Sequence, residues 1–409
     1  ADARPGVSHE KVEAAIDEEL ARFVEEGPTP EELNRVRMAY FSELVTGLEK
    51  VGGFTGKANL LAKHETFLGD PGAFERLLDV QRKTTTDDVK QAVQEWMSEG
   101  VFVLRVLPDP GYKAARDESQ APRDSVPDAG EAPSLDLPEL QRTTLSNGLQ
   151  VVLAERHDVP VVRFKMLAKG GYAEDNRKNL GRAKLAMDVL NEGTESRSAL
   201  ELAAELERLG AELSSGASLD NSFVELEALS TTVDPALDIF ADVILNPAFA
   251  DEELERRRKN QLATIEQEQS RPFGTALRML GPLVFGDQHH YGFPLTGSGT
   301  NDTVSGLTRD DLVAHHHSVF YPKNATLLVV GDITMEQLEP KLEERFTDWE
   351  GGNRQILRSI SKSTDHPVRI FLVDKPDAEQ SLIVTGNRIP PREKLDQIAV
   401  EVMNAVIGG

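Results

Sequence analysis

Cysteine occurs nowhere in the 409 residues, so disulfides and thiolate metal sites are excluded. That absence suits either the cytoplasm or a bacterial periplasm, and the periplasm is the preferred expectation. Positive charge is also scarce. Against 69 Asp and Glu stand 45 Lys and Arg, a net charge of −24. Such a surface repels nucleic acid and favours cationic partners. No apolar run reaches the length of a membrane helix, so no membrane span is expected. The opening ADARPGVSHEK has neither an initiator Met nor the apolar core of a signal peptide, and the chain stops at Ile407-Gly-Gly behind an apolar helical pattern. Both ends are therefore expected to be cut from a longer protein. A hydrophobic content of 39% is low but sufficient for ordinary cores, and the length suits roughly two to four domains.

What is present is a patterned stretch from Leu145 to Thr194. Asn147-Gly148 reads as a turn feeding a strand over 150–156. The charged turn Glu155-Arg-His-Asp leads to a second strand over 160–168, Gly170-Gly171 and a polar loop follow, and an amphipathic helix then carries Lys184 and Asp188. Within that helix the frame G-x-A-x-L-x-x-x-x-L-x-x-G-T is met by Gly181, Ala183, Leu185, Leu190, Gly193 and Thr194. This order resembles the pitrilysin/insulinase family of zinc peptidases, the inverzincins, whose signature is H-x-x-E-H on a helix. In that motif two His one turn apart hold zinc and the Glu between them activates the bound water. The resemblance further implies a third ligand, a Glu from a later helix.

The reactive positions depart from the family. Lys184 and Asp188 fill the two His slots, and Met187 fills the Glu slot. Counting back from Pro272 within DEELERRRKNQLATIEQEQSRP places the third ligand at Thr264, with Glu266 as the fallback. One Glu cannot hold zinc alone, so no catalytic or metal-binding residue is expected in this chain. Lys184 and Asp188 could instead pair across one turn, worth only a few tenths of a kcal/mol.

The chain also repeats itself. Glu31-Glu-Leu-Asn-Arg-Val-Arg resembles Glu252-Glu-Leu-Glu-Arg-Arg-Arg, Thr85-Thr-Asp-Asp-Val resembles Thr308-Arg-Asp-Asp-Leu, and Val101-Phe-Val-Leu-Arg-Val-Leu matches the strand Ala325-Thr-Leu-Leu-Val-Val-Gly. The offset, roughly 220 residues each time, is that of a domain repeat. A weaker echo relates Ile370-Phe-Leu-Val-Asp and Gln380-Ser-Leu-Ile-Val to the strands after Gly148. On this phase, residues 1–107 are the back of a first peptidase-like unit, 138–350 a complete domain with the degenerate motif, and 351–409 the start of the next domain. Between them, 108–137 is rich in Pro, acidic and small residues and nearly free of apolar ones, the composition of an extended linker.

Long helices with sparse strands argue an α+β fold with a mixed or antiparallel sheet. Helices are expected at 9–26, 29–48, 72–81, 86–98, 181–191, 199–209, 232–244, 251–269, 272–284 and 308–319, and strands at 141–144, 150–156, 160–168, 222–230 and 325–331.

Other motifs invite blander readings. His289-His290 and His315-His316-His317 are adjacent rather than one turn apart, so they read as loop packing and helix surface. Gly297-Ser-Gly lacks the Lys of a phosphate loop and reads as a turn. The run Arg256-Arg-Arg-Lys beside Glu252, Glu253 and Glu255 reads as a solvated helix face. Ser214, Ser215 and Ser218 have no candidate base nearby in sequence.

The resemblance implies the non-catalytic half of a zinc metalloendopeptidase, lining a chamber and binding peptide. Zinc would then sit in a catalytic half or a partner subunit of the same family. A zinc-free scaffold, like the core subunits of respiratory complexes, is the alternative of a different class. An enzyme with a rebuilt metal site is the third.

Overall fold

The computed structural model describes residues 7–54, 56–97, 102–105, 138–286, 289–352, 369–374, 381–389 and 397–407. The chain divides into two compact units, Ala1–Glu139 and Leu140–Gly409. The expected linker, 108–137, lies outside the described residues.

The first unit is helical: α1 (His9–Glu26), α2 (Pro30–Gly47), α3 (Lys57–Leu68), α4 (Ala73–Lys83) and α5 (Thr86–Trp96). Its helix starts are set locally. The Thr29 and Thr85 hydroxyls accept from the third backbone N–H of α2 and α5, and Glu32 and Asp88 reach back to the capping N–H groups. Contacts between its helices include Gln94 Nε2 donating to Val24 O at 3.1 Å and Arg37 Nε donating to Gln81 O at 3.1 Å. The expected strand at Val101–Leu107 is not borne out over residues 102–105, which join no ladder and leave Phe102 and Leu104 exposed. A strand needs a neighbour to take its backbone hydrogen bonds. α3 was not foreseen, and its polar and apolar residues show only weak helical periodicity.

The second unit is built on one six-stranded mixed sheet. Its strands are β1 (Leu140–Thr144), β2 (Gln150–Glu155), β3 (Val161–Lys169), β4 (Glu212–Ala217), β5 (Asn221–Leu229) and β6 (Ala325–Gly331), in the order β1-β2-β6-β3-β5-β4. β2 and β6 run parallel, and the other neighbours are antiparallel. The helices are α6 (Arg182–Leu190), α7 (Ala199–Leu209), α8 (Val233–Leu245), α9 (Asp251–Ser270), α10 (Pro272–Phe285), α11 (Asn301–Gly306), α12 (Arg309–Val319), α13 (Met335–Phe346) and α14 (Gln397–Ile407). This is the α+β architecture read from the sequence.

Alternation decides which face of the sheet is covered. Along β3, Val162, Phe164, Met166 and Ala168 are buried, and along β5 so are Ser222, Val224, Leu226 and Ala228. They join one core with α6 and α8, in which Phe164 meets Phe240 at 6.2 Å between ring centroids. The opposite face carries charge in register. Arg163 lies across from Glu227 and pairs with it at 2.6 Å, and Lys165 lies across from Glu225 and pairs at 2.5 Å. β4, α11 and α13 were missed by the sequence reading. β4 is the polar, small-residue segment ELSSGA and α13 contains Pro340, so neither carries a strong local signal. Farther along, 369–374 and 381–389 form no ladder among the described residues.

Candidate functional site at the degenerate zinc motif

The frame residues of α6 are explained by packing. Gly181 starts the helix at φ 90°, and a Cβ there would sit 2.7 Å from both Gln261 Nε2 and Ser298 O. Ala183, Leu185 and Leu190 are fully buried in the core. Thr194 Oγ1 accepts from the Arg197 N–H at 3.1 Å, closing the loop after the helix.

With glycine at its N-cap, α6 takes its cap from farther back. Asp175 accepts from Gly181 N at 3.0 Å, from Ala183 N at 3.3 Å and from Arg182 Nε at 3.3 Å. Its side chain is 1% exposed. Burial raises the Asp175 carboxyl to about 7, against the opposing pull of Arg182 and the two backbone donors. No sequence pattern announced Asp175, because it acts from a loop six residues before the helix start.

The motif positions then separate. Met187 is 1% exposed and belongs to the hydrophobic core, and its carbonyl accepts from Ser215 Oγ of β4 at 2.6 Å. Lys184 and Asp188 are half-buried on the polar side of α6. Burial raises the Asp188 carboxyl, while Lys184 and Arg257 pull it down and Glu192 pushes it up. Thr264 returns its hydroxyl to Asn260 O at 3.0 Å on its own helix, and Glu266 is exposed. These residues do not fit zinc. An ammonium has no lone pair to give, a core methionine cannot act as a base, and a single carboxylate is one ligand where three are needed.

The solvated-face reading of the basic run holds for Arg256 and Lys259, which are exposed, and is corrected for Arg257 and Arg258. Arg257 Nε donates to Glu192 Oε1 at 2.6 Å, and both Arg256 and Arg257 clasp Glu192 through their terminal nitrogens. Arg258 is buried and donates to Leu307 O at 2.7 Å and to Val304 O. The buried positions of α9, Leu254, Arg258, Gln261 and Ile265, follow a helical stripe. That stripe was legible, but charged residues on it read as solvent-facing.

The other singled-out residues settle into packing. His315 is fully buried, its Nε2 3.4 Å from Ser222 Oγ. His316 is also buried, bonds Ile244 O through Nε2 at 2.8 Å and stacks on Phe320 at 5.4 Å. Two of the three therefore belong to the interior, not to the helix surface. Burial lowers His316 to about 4. His289 stacks on Phe285 at 5.0 Å between ring centroids. Among the described residues, no group of three or more His, Asp or Glu is placed to hold a metal ion. Ser298, within the Gly297-Ser-Gly turn, is buried and donates to Glu268 at 2.6 Å while Arg278 reaches both. Ser214 is exposed on β4, and Ser218 bonds Asn221 O in the turn before β5. No described helix is long and apolar enough to cross a membrane.

Comparison with known proteins bears on the same region. A family model described as insulinase (peptidase family M16) matches residues 150–284, and one described as the peptidase M16 inactive domain matches 306–409. An uncharacterized zinc protease of Mycobacterium leprae is 26% identical over 271 residues, covering 66% of this chain and 60% of that protein. The zinc protease YmxG of Bacillus subtilis is 23% identical, over 66% of this chain and 64% of that one. A protein of Helicobacter pylori named as a non-peptidase homolog is 24% identical, over 63% of this chain and 59% of its own. This chain thus spans about 60% of the length of the relatives it matches. A solved structure, the peptidase M16 inactive domain of Pseudomonas fluorescens, is 26% identical with a TM-score of 0.49, covering 52% of this chain and 51% of that chain. The helix frame found in the sequence and the two family matches, which together cover most of the second unit, agree: the chain belongs to the insulinase (M16) peptidase family.

Proposed function

We propose that this chain is the non-catalytic half of a pitrilysin/insulinase-type zinc metalloendopeptidase. It forms a wall of the chamber and part of the surface that holds peptide or unfolded polypeptide. Zinc and catalysis belong to a catalytic half or a partner subunit of the same family. The observation that carries this reading is Met187. The position where the family needs a base beside its metal holds a methionine sealed in the core at 1% exposure. No proton can be taken up there, and no single substitution creates a site.

The sheet supports the binding role. Its helix-covered face is the core, while the other presents Arg163, Lys165, Glu225 and Glu227 at 25–42% side-chain exposure. Among the described residues β4 is an edge strand of the sheet, suited to an extended peptide that adds a strand. The second reading, a zinc-free scaffold, is favoured by the non-peptidase name of the Helicobacter pylori relative.

Two assays on the whole chain test this. A quenched fluorogenic peptide reports cleavage with and without added zinc, and a labelled unfolded peptide reports binding by anisotropy. Binding without cleavage is the expected result. Zinc-dependent cleavage by this chain overturns the proposal, and absence of both activities replaces it with the scaffold.

A further inference from the structure

We infer that the α6–α9 junction is a metal-free ionic clamp that takes the place of the zinc bridge. The family resemblance puts two metal ligands on the helix that is α6 here and the third on a later helix, so in a catalytic member the ion ties two helices together. Here the same tie is made by side chains of this chain. Lys184, Asp188 and Glu192 stand at four-residue spacing, on the polar side of α6 and just past its end. Arg256 and Arg257 approach from α9. Glu192, with its side chain 10% exposed, is the hub: it accepts from Arg257 Nε at 2.6 Å and from a terminal nitrogen of each arginine. Arg256 also holds Glu253 at 2.7 Å on its own helix. Arg257 and Lys184 act on Asp188 as opposite charges.

Charge balance follows from these contacts. Lys184, Arg256 and Arg257 match Asp188, Glu192 and Glu253 one for one, so the cluster is neutral as it stands. A divalent cation would add two positive charges beside three fixed ones, with Asp188 as the one carboxylate in a ligand slot. Loss of the zinc ligands and gain of the clamp are then two sides of one exchange. Glu192 and Asp188 also lie at the C-terminal end of α6, where the helix dipole disfavours anions, so the arginines offset a local cost.

The inference shares with the proposed function the assignment of α6 and α9 to the zinc locus. Its test reads coupling and metal binding rather than proteolysis, so the two can fail separately. Urea unfolding of the whole chain is followed for wild type, Glu192→Gln, Arg257→Met and the double variant, with Arg257→Lys as the milder partner. Each single change is expected to lower the folding constant of the second unit, and the double variant is expected to lose less than the product of the two by at least about fivefold. Arg257→Lys, which keeps the charge but not the fork, is expected to fall between wild type and Arg257→Met. Multiplicative single effects with no coupling overturn the clamp. Zinc chloride alone is expected to leave the wild-type melting temperature unchanged, as is a chelator. Zinc that binds the wild type stoichiometrically and is lost in Asp188→Asn overturns the exchange.

Discussion

The helices of the first unit and the sheet-centred second unit handle burial in opposite ways. Among the described residues before 106, the buried hydrophobics are Val45, Ala73 and Val93 alone. From Leu145 to Trp349 a continuous core takes in the inner faces of β2, β3, β5 and β6 and the broad apolar face of α8. The first unit has strong helix caps and little interior, whereas the second has an interior that imposes its own geometry. Capping and periodicity make helices, but a core forms only where two elements can close on each other. Val103, exposed, and Leu327, buried, are matching residues of the repeat and show the contrast on equivalent sequence.

The largest expected break in this contrast comes from the core itself. Leu185→Ala and Phe164→Ala each should destabilise the second unit by about 3–5 kcal/mol, whereas Val45→Ala should cost the first unit no more than about 1 kcal/mol. The two tryptophans report separately, since Trp349 is buried in the second unit and Trp96 is exposed on α5. Urea titration of Trp96→Phe followed by fluorescence isolates the second unit, and equal losses in both units would undo the comparison.

Removing the remote cap comes next. Asp175→Ala leaves two backbone donors and the Arg182 guanidinium without their acceptor, at an expected cost of about 2–4 kcal/mol. A midpoint shift as small as that of an ordinary surface cap would show that water replaces the carboxylate.

Acid should act on the interior through His316. Its folded value, about 4, lies below the ordinary 6.5, so the unfolded chain binds the proton more readily between those values. The stabilisation is complete above about pH 6.5 and is lost as pH falls toward 4, amounting to at most about 3 kcal/mol. His316→Phe should flatten that part of the profile relative to wild type, and NMR of the ring should show it neutral at pH 5. A ring that titrates near 6.5 would place it in solvent.

The smallest effect sharpens the first unit. Thr85→Ala removes one side of the α5 capping box and should cost about 1 kcal/mol, read as lost helicity by circular dichroism with the Trp349 signal unchanged. A response at Trp349 would mean that the units unfold as one.

Much of this molecule is decided by neighbours in the sequence. The starts of α2, α5 and α12, the Asn147-Gly148 turn and the alternation of β3 follow from caps, turn residues and period, all of which act within a few residues. The helix frame around Gly181, and the presence of Lys184, Met187 and Asp188 where the resemblance expects the zinc motif, were likewise legible without coordinates. Tertiary structure alone decided the rest. Asp175 caps a helix it does not adjoin, Glu192 meets arginines more than sixty residues away, and His315 and His316 turn inward to Ser222 of β5 and Ile244 of α8. The segment 102–105 had a strand's composition and made no strand, because ladder hydrogen bonds come from another part of a chain. Local preference sets what a segment can be, and long-range contacts, which no short window of sequence contains, select what it becomes.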